Sequence, residues 1–293
     1  MPKVNEDYPG KELTDDQLKQ QVINQSYVDS KDAKPTTEKS NHKFPTEFVE
    51  LPSKGWLYPE DNPLSSGKVE MKYMTAKEED ILTSQNLIKK GLVIDQLLRS
   101  LIVSPINYND LLVGDKNAIM VAARILGYGA DYPVEVQCPE CGTKNKVEIN
   151  LSELQEKPID EANYTKGENR FELVLPASKR TIEWKLLTHS DEQKVAEMTK
   201  SLKKRSLTKT VDPQMSTRFK NMILSIDGDE TQATINKFVD TEFLSRDTMA
   251  LRKEVEKLSP DIDMTFHFEC TECGHEQAEM QIPMNVQFFW PRV

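Results

Sequence analysis

No stretch of this sequence approaches the run of about 18 apolar residues that a membrane-spanning helix needs. The amino terminus, MPKVNEDYPGKE, carries charges where a secretory signal peptide has its apolar segment. Basic residues are in deficit: 38 Lys and Arg stand against 48 Asp and Glu, which gives a formal net charge of −10. Nucleic-acid binding by the chain as a whole is therefore disfavoured, and we expect a cytosolic protein without a membrane span.

The common catalytic motifs are also missing. The sequence contains no GxxxxGK[ST], no GxGxxG after a strand, no GxSxG and no HExxH. The few histidines show no metal-ligand spacing; they are His42, His189, His267 and His275. The sequence therefore predicts no catalytic residues, no enzymatic activity and no small-molecule substrate.

Cysteine is scarce, and all of it lies in two CxxC motifs, CPECG with Cys138 and Cys141 and CTECG with Cys270 and Cys273. A disulfide scaffold is typical of small secreted domains, which this chain does not resemble. Four thiolates complete the tetrahedral shell of a structural zinc ion, so we predict a zinc cofactor bound by these cysteines. A redox dithiol, four unrelated buried thiols, and His275 as a substitute ligand are the alternatives.

The residues around both motifs alternate between apolar and polar positions, which is typical of β-strands. Each motif thus lies at the tip of a predicted hairpin, and not between a strand and a helix as in redox-active CxxC proteins. The two hairpins, at 131–151 and 262–293, form the halves of a split zinc ribbon. Their apolar positions are Tyr132, Val134, Val136, Val147, Ile149 and Leu151, and then Met264, Phe266, Phe268, Ala278, Met280 and Ile282.

The remaining segments differ in composition. Residues 1–43 are poor in apolar side chains and are predicted to be a disordered tail, with one stretch at 13–28 that becomes helical on a partner. Residues 44–74 hold four prolines and two glycines, which favours an irregular ordered arm. Trp56 and Tyr58 anchor this arm, either on the chain's own helices or on a neighbouring subunit.

Helical patterns fill 75–130 and much of the insertion at 152–261. Thr75 and Glu78 form a capping box, and further helices are predicted up to Pro105 and from Asp115 onwards. The insertion is predicted to hold a hairpin and at least three helices: one near 190–205, one carrying Met215, Phe219, Met222, Ile223 and Ile226, and one ending at Leu258. The predicted fold class is α+β, a helical unit plus the split ribbon and its mainly helical insertion.

Two surface features each have a structural and a functional interpretation. A basic run, Lys200, Lys203, Lys204, Arg205 and Lys209, is either a solvated helix end or a contact patch for an acidic neighbour or nucleic acid. The aromatic carboxyl-terminal residues Phe288, Phe289 and Trp290 are either docked on their own domain or donated to another subunit.

The strings FVELPSKGWLYP, YMTAKEEDILTSQNLIKKGLVIDQLL and DLLVGDKNAIMVAARILGYGADYPVEVQCPECG, with the second CTECG, resemble the baseplate hub protein family of T-even-type contractile-tailed bacteriophages. The resemblance is specific over about 44–145 and looser elsewhere. It implies a structural or assembly role in the tail baseplate, with other hub and tail proteins or a second copy as partners. It also implies residence in the host cytoplasm during assembly and in the virion baseplate if the protein is retained.

Two other classes remain open at this point. A zinc-ribbon protein associated with nucleic acid or transcription would use its CxxC turns beside the basic run, although the net charge of −10 opposes this. A metal-dependent enzyme would need an open coordination position at the metal.

Overall fold

The computed structural model describes residues 45–205, 212–284 and 286–289, and the predicted tail at 1–43 lies outside them. The described chain begins with an antiparallel hairpin of β1, Thr46–Glu50, and β2, Lys68–Lys72. The arm predicted as irregular at 44–74 therefore has regular ends. Its prolines precede β1 or fall in the connection between the strands, so none interrupts the ladder, and Val69 and Met71 face the core.

The helical unit follows directly. It consists of α1, Ala76–Thr83, α2, Gln85–Lys90, α3, Val93–Leu101, and α4, Val113–Tyr128. The capping box forms as expected: the Thr75 side chain accepts the Glu78 N–H, and the Thr75 N–H donates to the Glu78 carboxylate at 3.0 Å. The Thr75 hydroxyl also donates to that carboxylate, at 2.5 Å. Helix α2 ends at Gly91, whose φ of +69° suits a residue without Cβ.

The segment predicted as an insertion contains a three-stranded antiparallel sheet covered by helices. Its strands are β5, Phe171–Val174, β6, Thr181–Trp184, and β7, Ile223–Ile226, in the order β5-β6-β7. Its helices are α5, His189–Arg205, α6, Gln214–Met222, α7, Gln232–Thr241, and α8, Ser245–Leu258. None of the helices in the described ranges has the length and apolar character needed to cross a bilayer.

One prediction about this segment is wrong. Ile223 and Ile226 were expected to continue the helix of Met222, but α6 stops there and the chain enters β7. Ile226 pairs with Ile182 of β6, and both isoleucines are buried against the sheet. A short, largely apolar segment such as ILSI satisfies either period, and pairing with β6 favours the strand here.

One hydrophobic core runs through most of these elements. It joins residues of the first hairpin, the helical unit and the three-stranded sheet, including fully buried Met71, Leu98, Ile119, Trp184 and Phe238. Phe44–Val293 accordingly forms one compact unit. The helical unit and the insertion thus share a core, although the sequence indicates separate segments.

Candidate metal centre

Two further hairpins carry the cysteines. Strands β3, Asp131–Gln137, and β4, Lys144–Asn150, pair antiparallel, as do β8, Thr265–Glu269, and β9, Glu276–Gln281. Each CxxC lies in the turn between its strands, as predicted. The second ladder contains a bulge, since Phe266 pairs with Met280 whereas Phe268 pairs with Gln277. The extra residue leaves Ala278 exposed, which corrects its predicted place in the apolar alternation.

The two turns have the same backbone hydrogen bonds. The Cys138 N–H donates to the Thr143 carbonyl at 2.9 Å, and the Gly142 N–H donates to the Cys138 carbonyl at 3.0 Å. The second turn repeats both bonds at the same lengths, from Cys270 to His275 and from Gly274 to Cys270. Both glycines have a positive φ, +73° and +68°, which explains the glycine after each CxxC. The chain therefore builds one turn structure twice.

The turns bring all four thiols together. The Sγ atoms of Cys138, Cys141, Cys270 and Cys273 lie within 4.8 Å of one another. Two of the separations join opposite hairpins: 3.7 Å from Cys138 to Cys273 and 3.6 Å from Cys141 to Cys270. Four sulfurs at about 2.3 Å from a tetrahedral ion are about 3.8 Å apart, whereas bonded sulfurs are about 2.05 Å apart. The cluster fits a tetrahedral metal ion, as zinc or iron prefers with thiolates.

Hydrogen bonds and mutual repulsion set the protonation of the thiols. Backbone N–H groups of Cys273 and Glu272 lower the pKa of Cys270 to about 6, and hydrogen bonds from Thr143 lower the pKa of Cys141. At Cys273 the N–H of His275 also favours the thiolate, but the neighbouring thiols raise its pKa to about 12. Four thiolates so close repel one another, and a bound cation removes that repulsion.

Asn145 is a site residue that the sequence analysis missed. Its side-chain N–H donates to the Thr143 carbonyl at 3.0 Å and faces the Cys270 sulfur at 3.6 Å. Its side-chain oxygen accepts the N–H and the hydroxyl of Thr271 at 3.0 and 2.8 Å. This buried amide thus ties the first turn to the second. The sequence does contain a sign of its role: Asn145 lies opposite Val136, at a position where the alternation of β4 predicts an apolar residue.

A small apolar cluster lies beneath the cysteines. Val136, Cys138, Phe268 and Cys270 are buried together, apart from the main core. Partly buried side chains surround them, namely Val134, Val147, Phe266 and Met280. Few apolar groups therefore hold the hairpin tips together.

Of the two alternatives for Tyr58, the structure shows an anchor on the chain itself. It is buried in the chain's own core, where its hydroxyl donates to Asp115 at 2.5 Å and accepts the Leu112 N–H at 2.9 Å. The N–H and hydroxyl of Ser53 also donate to Asp115, at 2.9 and 2.7 Å. Burial raises the pKa of Asp115 to about 6, although these hydrogen bonds favour its charged form. Trp56 is half-buried, with the Lys166 ammonium group 6.0 Å from its ring centre.

The described carboxyl-terminal aromatics also pack on their own chain. Phe288 and Phe289 are only 1% and 2% exposed, and Phe288 meets the Tyr132 ring edge to face at a centroid distance of 5.0 Å. Of the two alternatives for these rings, the structure shows docking on their own domain, because apolar rings gain more from the adjacent core than from water. Trp290 lies outside the described residues.

The basic run lies at the end of α5. Lys200, Lys203 and Lys204 are exposed, and Lys203 pairs with Asp212 at 2.6 Å. The side chain of Arg205 and all of Lys209 lie outside the described part of the chain. Cations in the last turns of a helix are favoured by its dipole, which accounts for their position without a ligand.

These features define a protein of mixed helix and sheet with a candidate metal centre of four thiols. The family model described as T4 bacteriophage base plate protein matches residues 46–290. The chain belongs to this family. No match was found among curated proteins or among solved structures. The resemblance to baseplate proteins of T-even-type phages is therefore confirmed at family level, and membership of the hub stays a prediction.

Proposed function

We propose that the chain is a non-enzymatic structural component or assembly factor of the baseplate hub in a contractile phage tail. The family match over 46–290 is the observation that supports a baseplate role. The resemblance of the strings around Trp56 and Cys138 to hub proteins supports the finer assignment. The partners would be other hub and tail proteins, met in the host cytoplasm during assembly and kept in the virion if the protein is retained.

The metal in this proposal is one structural zinc ion per chain, held by Cys138, Cys141, Cys270 and Cys273. Four thiols at near-tetrahedral separations support this assignment, as do the backbone N–H groups that stabilise the Cys270 thiolate. Four protein ligands leave no coordination position for water or substrate. The ion would join two hairpins that are distant in sequence, and its role would be to stabilise the fold.

Trp56 and the exposed lysines of α5 are the contact candidates that stay accessible in the described chain. A half-buried indole supplies a large rigid surface at small entropic cost, which is typical of residues that dominate interfaces. Lys200 and Lys204 have no ion-pair partner among the described residues and would suit an acidic neighbour.

The test is complementation of phage lacking this protein. We expect infection without it to yield no complete tails, and the wild-type chain supplied in trans to restore them. Trp56→Ala should lower incorporation into baseplates while the purified variant keeps its fold and metal, and Val174→Ala, at an exposed site in the three-stranded sheet, serves as the control. Complete tails formed in the absence of the protein would contradict the hub proposal.

A further inference from the structure

The register of the first hairpin shows which backbone groups of β1 point away from β2. The Pro45 carbonyl accepts the Tyr73 N–H, and the Leu51 N–H donates to the Gly67 carbonyl at 2.9 Å. In an antiparallel ladder the hydrogen-bonded positions alternate, so the odd-numbered residues of β1 bond to β2. The N–H and C=O groups of Thr46, Phe48 and Glu50 therefore face outwards.

The two outer edges of this hairpin differ in whether their backbone groups are hydrogen-bonded. At the centre of β2, the Glu70 N–H donates to the Ser104 hydroxyl at 2.7 Å, and the Glu70 carbonyl accepts the Val103 N–H at 2.9 Å. At the centre of β1, no described residue pairs with the outward groups of Phe48. The Phe48 side chain is also 69% exposed, more than any other large apolar side chain in the described ranges. An open edge with an exposed aromatic is a typical site of strand addition.

We propose that this edge pairs antiparallel with the same edge of a second copy, around a two-fold axis at Phe48. In that register Phe48 lies opposite its own copy, Thr46 opposite Glu50, and Glu47 opposite Val49. No like charges are directly opposed. Each outer row then runs from Lys72 and Thr46 of one copy to Glu50 and Lys68 of the other. Each Glu50 keeps its own Lys68 at 3.4 Å and faces the uncharged Thr46 of the other copy.

The prolines at both ends restrict the register. Pro45 and Pro52 flank β1 and have no N–H to donate. If the register of the two β1 strands shifts by two residues in either direction, one outward-facing residue comes to lie opposite the segment beyond β1 of the other copy. Fewer residues of the two strands are then paired. Only the register centred on Phe48 uses all three outward residues, each pair exchanging two hydrogen bonds. Such an interface is small, so the dimer is weak and concentration-dependent.

Sedimentation velocity of the full-length protein at rising concentration tests this proposal. We expect the weight-average mass to rise above the 33.6 kDa of one chain. Phe48→Pro removes an N–H that the β1–β2 ladder does not use, so it should abolish association while the thermal unfolding curve stays cooperative. Phe48→Glu, which keeps the backbone donor but opposes two carboxylates, should weaken association by about tenfold.

Val174→Pro is the matched control. Val174 is 58% exposed on β5, an outer strand of the three-stranded sheet, and its N–H also points outwards, because the next residue, Leu175, donates to the Arg180 carbonyl at 2.9 Å. This variant should associate like the wild type. A wild-type chain that stays monomeric at all concentrations would overturn the proposal. The same monomeric result is expected if β1 instead pairs with a strand of a different protein. Association that survives Phe48→Glu and Phe48→Pro unchanged would overturn it as well.

Discussion

Replacing Cys270 by Ser should release the metal and unfold the two hairpin tips while the main core stays folded. Cys270 is buried, and its sulfur accepts backbone N–H groups of Glu272 and Cys273. It also lies 3.6 Å from the Cys141 sulfur of the other hairpin. A serine hydroxyl remains protonated at neutral pH and is a poor zinc ligand, so the substitution removes one of four bonds that close the site.

The expected magnitude follows from what else holds the tips together. Burial of Val136 and Phe268 contributes about 1.5–3 kcal/mol for each side chain. A structural zinc ion contributes on the order of 10 kcal/mol to folding. A bound zinc ion would therefore be the larger stabilising term at the tips. The main core around Trp184 and Phe238 contains no metal ligand and should persist after metal loss.

The assay combines metal content with hydrogen exchange. Freshly purified, reduced wild-type protein should contain one zinc per chain, and Cys270→Ser should contain far less. The amides of Gly142 and Gly274, which bond within the two turns, should lose protection in the variant and after chelation, while amides of β6 keep theirs. His275→Ala is the control, because His275 lies outside the four-thiol group and should leave metal content unchanged.

Two results would refute this reasoning. Wild-type protein isolated under reducing conditions without bound metal would show that the thiol cluster is not a metal site. Unchanged protection of Gly142 and Gly274 after chelation would show that the small apolar cluster and Asn145 hold the tips by themselves.

Three further predictions concern the main core. Gly114→Ala should cost about 3 kcal/mol or more in unfolding by denaturant, because its Cβ would overlap a backbone carbonyl oxygen, whereas Gly91→Ala, in open space at positive φ, should cost about 1–2 kcal/mol. The raised pKa of Asp115, about 6, means that the folded chain binds more protons than the unfolded chain between about pH 4 and 6. Stability should fall as pH rises through this window, by about 3 kcal/mol in total, and Asp115→Asn should remove this pH-dependent loss, as measured by denaturant titrations at each pH. Truncation before Phe288 removes two buried rings worth about 3–5 kcal/mol each, and a truncated chain as stable as the full one would contradict their burial.

The turns and helix starts were predictable from sequence because their chemistry is local. Each CxxC followed by glycine closes its own hydrogen bonds within six residues, so both turns appear as predicted. The Thr75 capping box likewise depends on groups three residues apart. Alternation in β3, β4 and β8 showed which face is apolar, and the matching hairpins indicated that their cysteines meet.

Sequence by itself thus determined the four-cysteine cluster, the mixed fold class and the baseplate resemblance, because each rests on residues whose spacing along the chain has a direct structural meaning. Only the tertiary structure decided that Tyr58 bonds to Asp115, that Ile226 pairs with Ile182, and that Phe288 packs on Tyr132. These contacts join residues that are distant along the chain. Local periodicity shows that a side chain seeks burial, but its partner depends on how the whole chain closes its core.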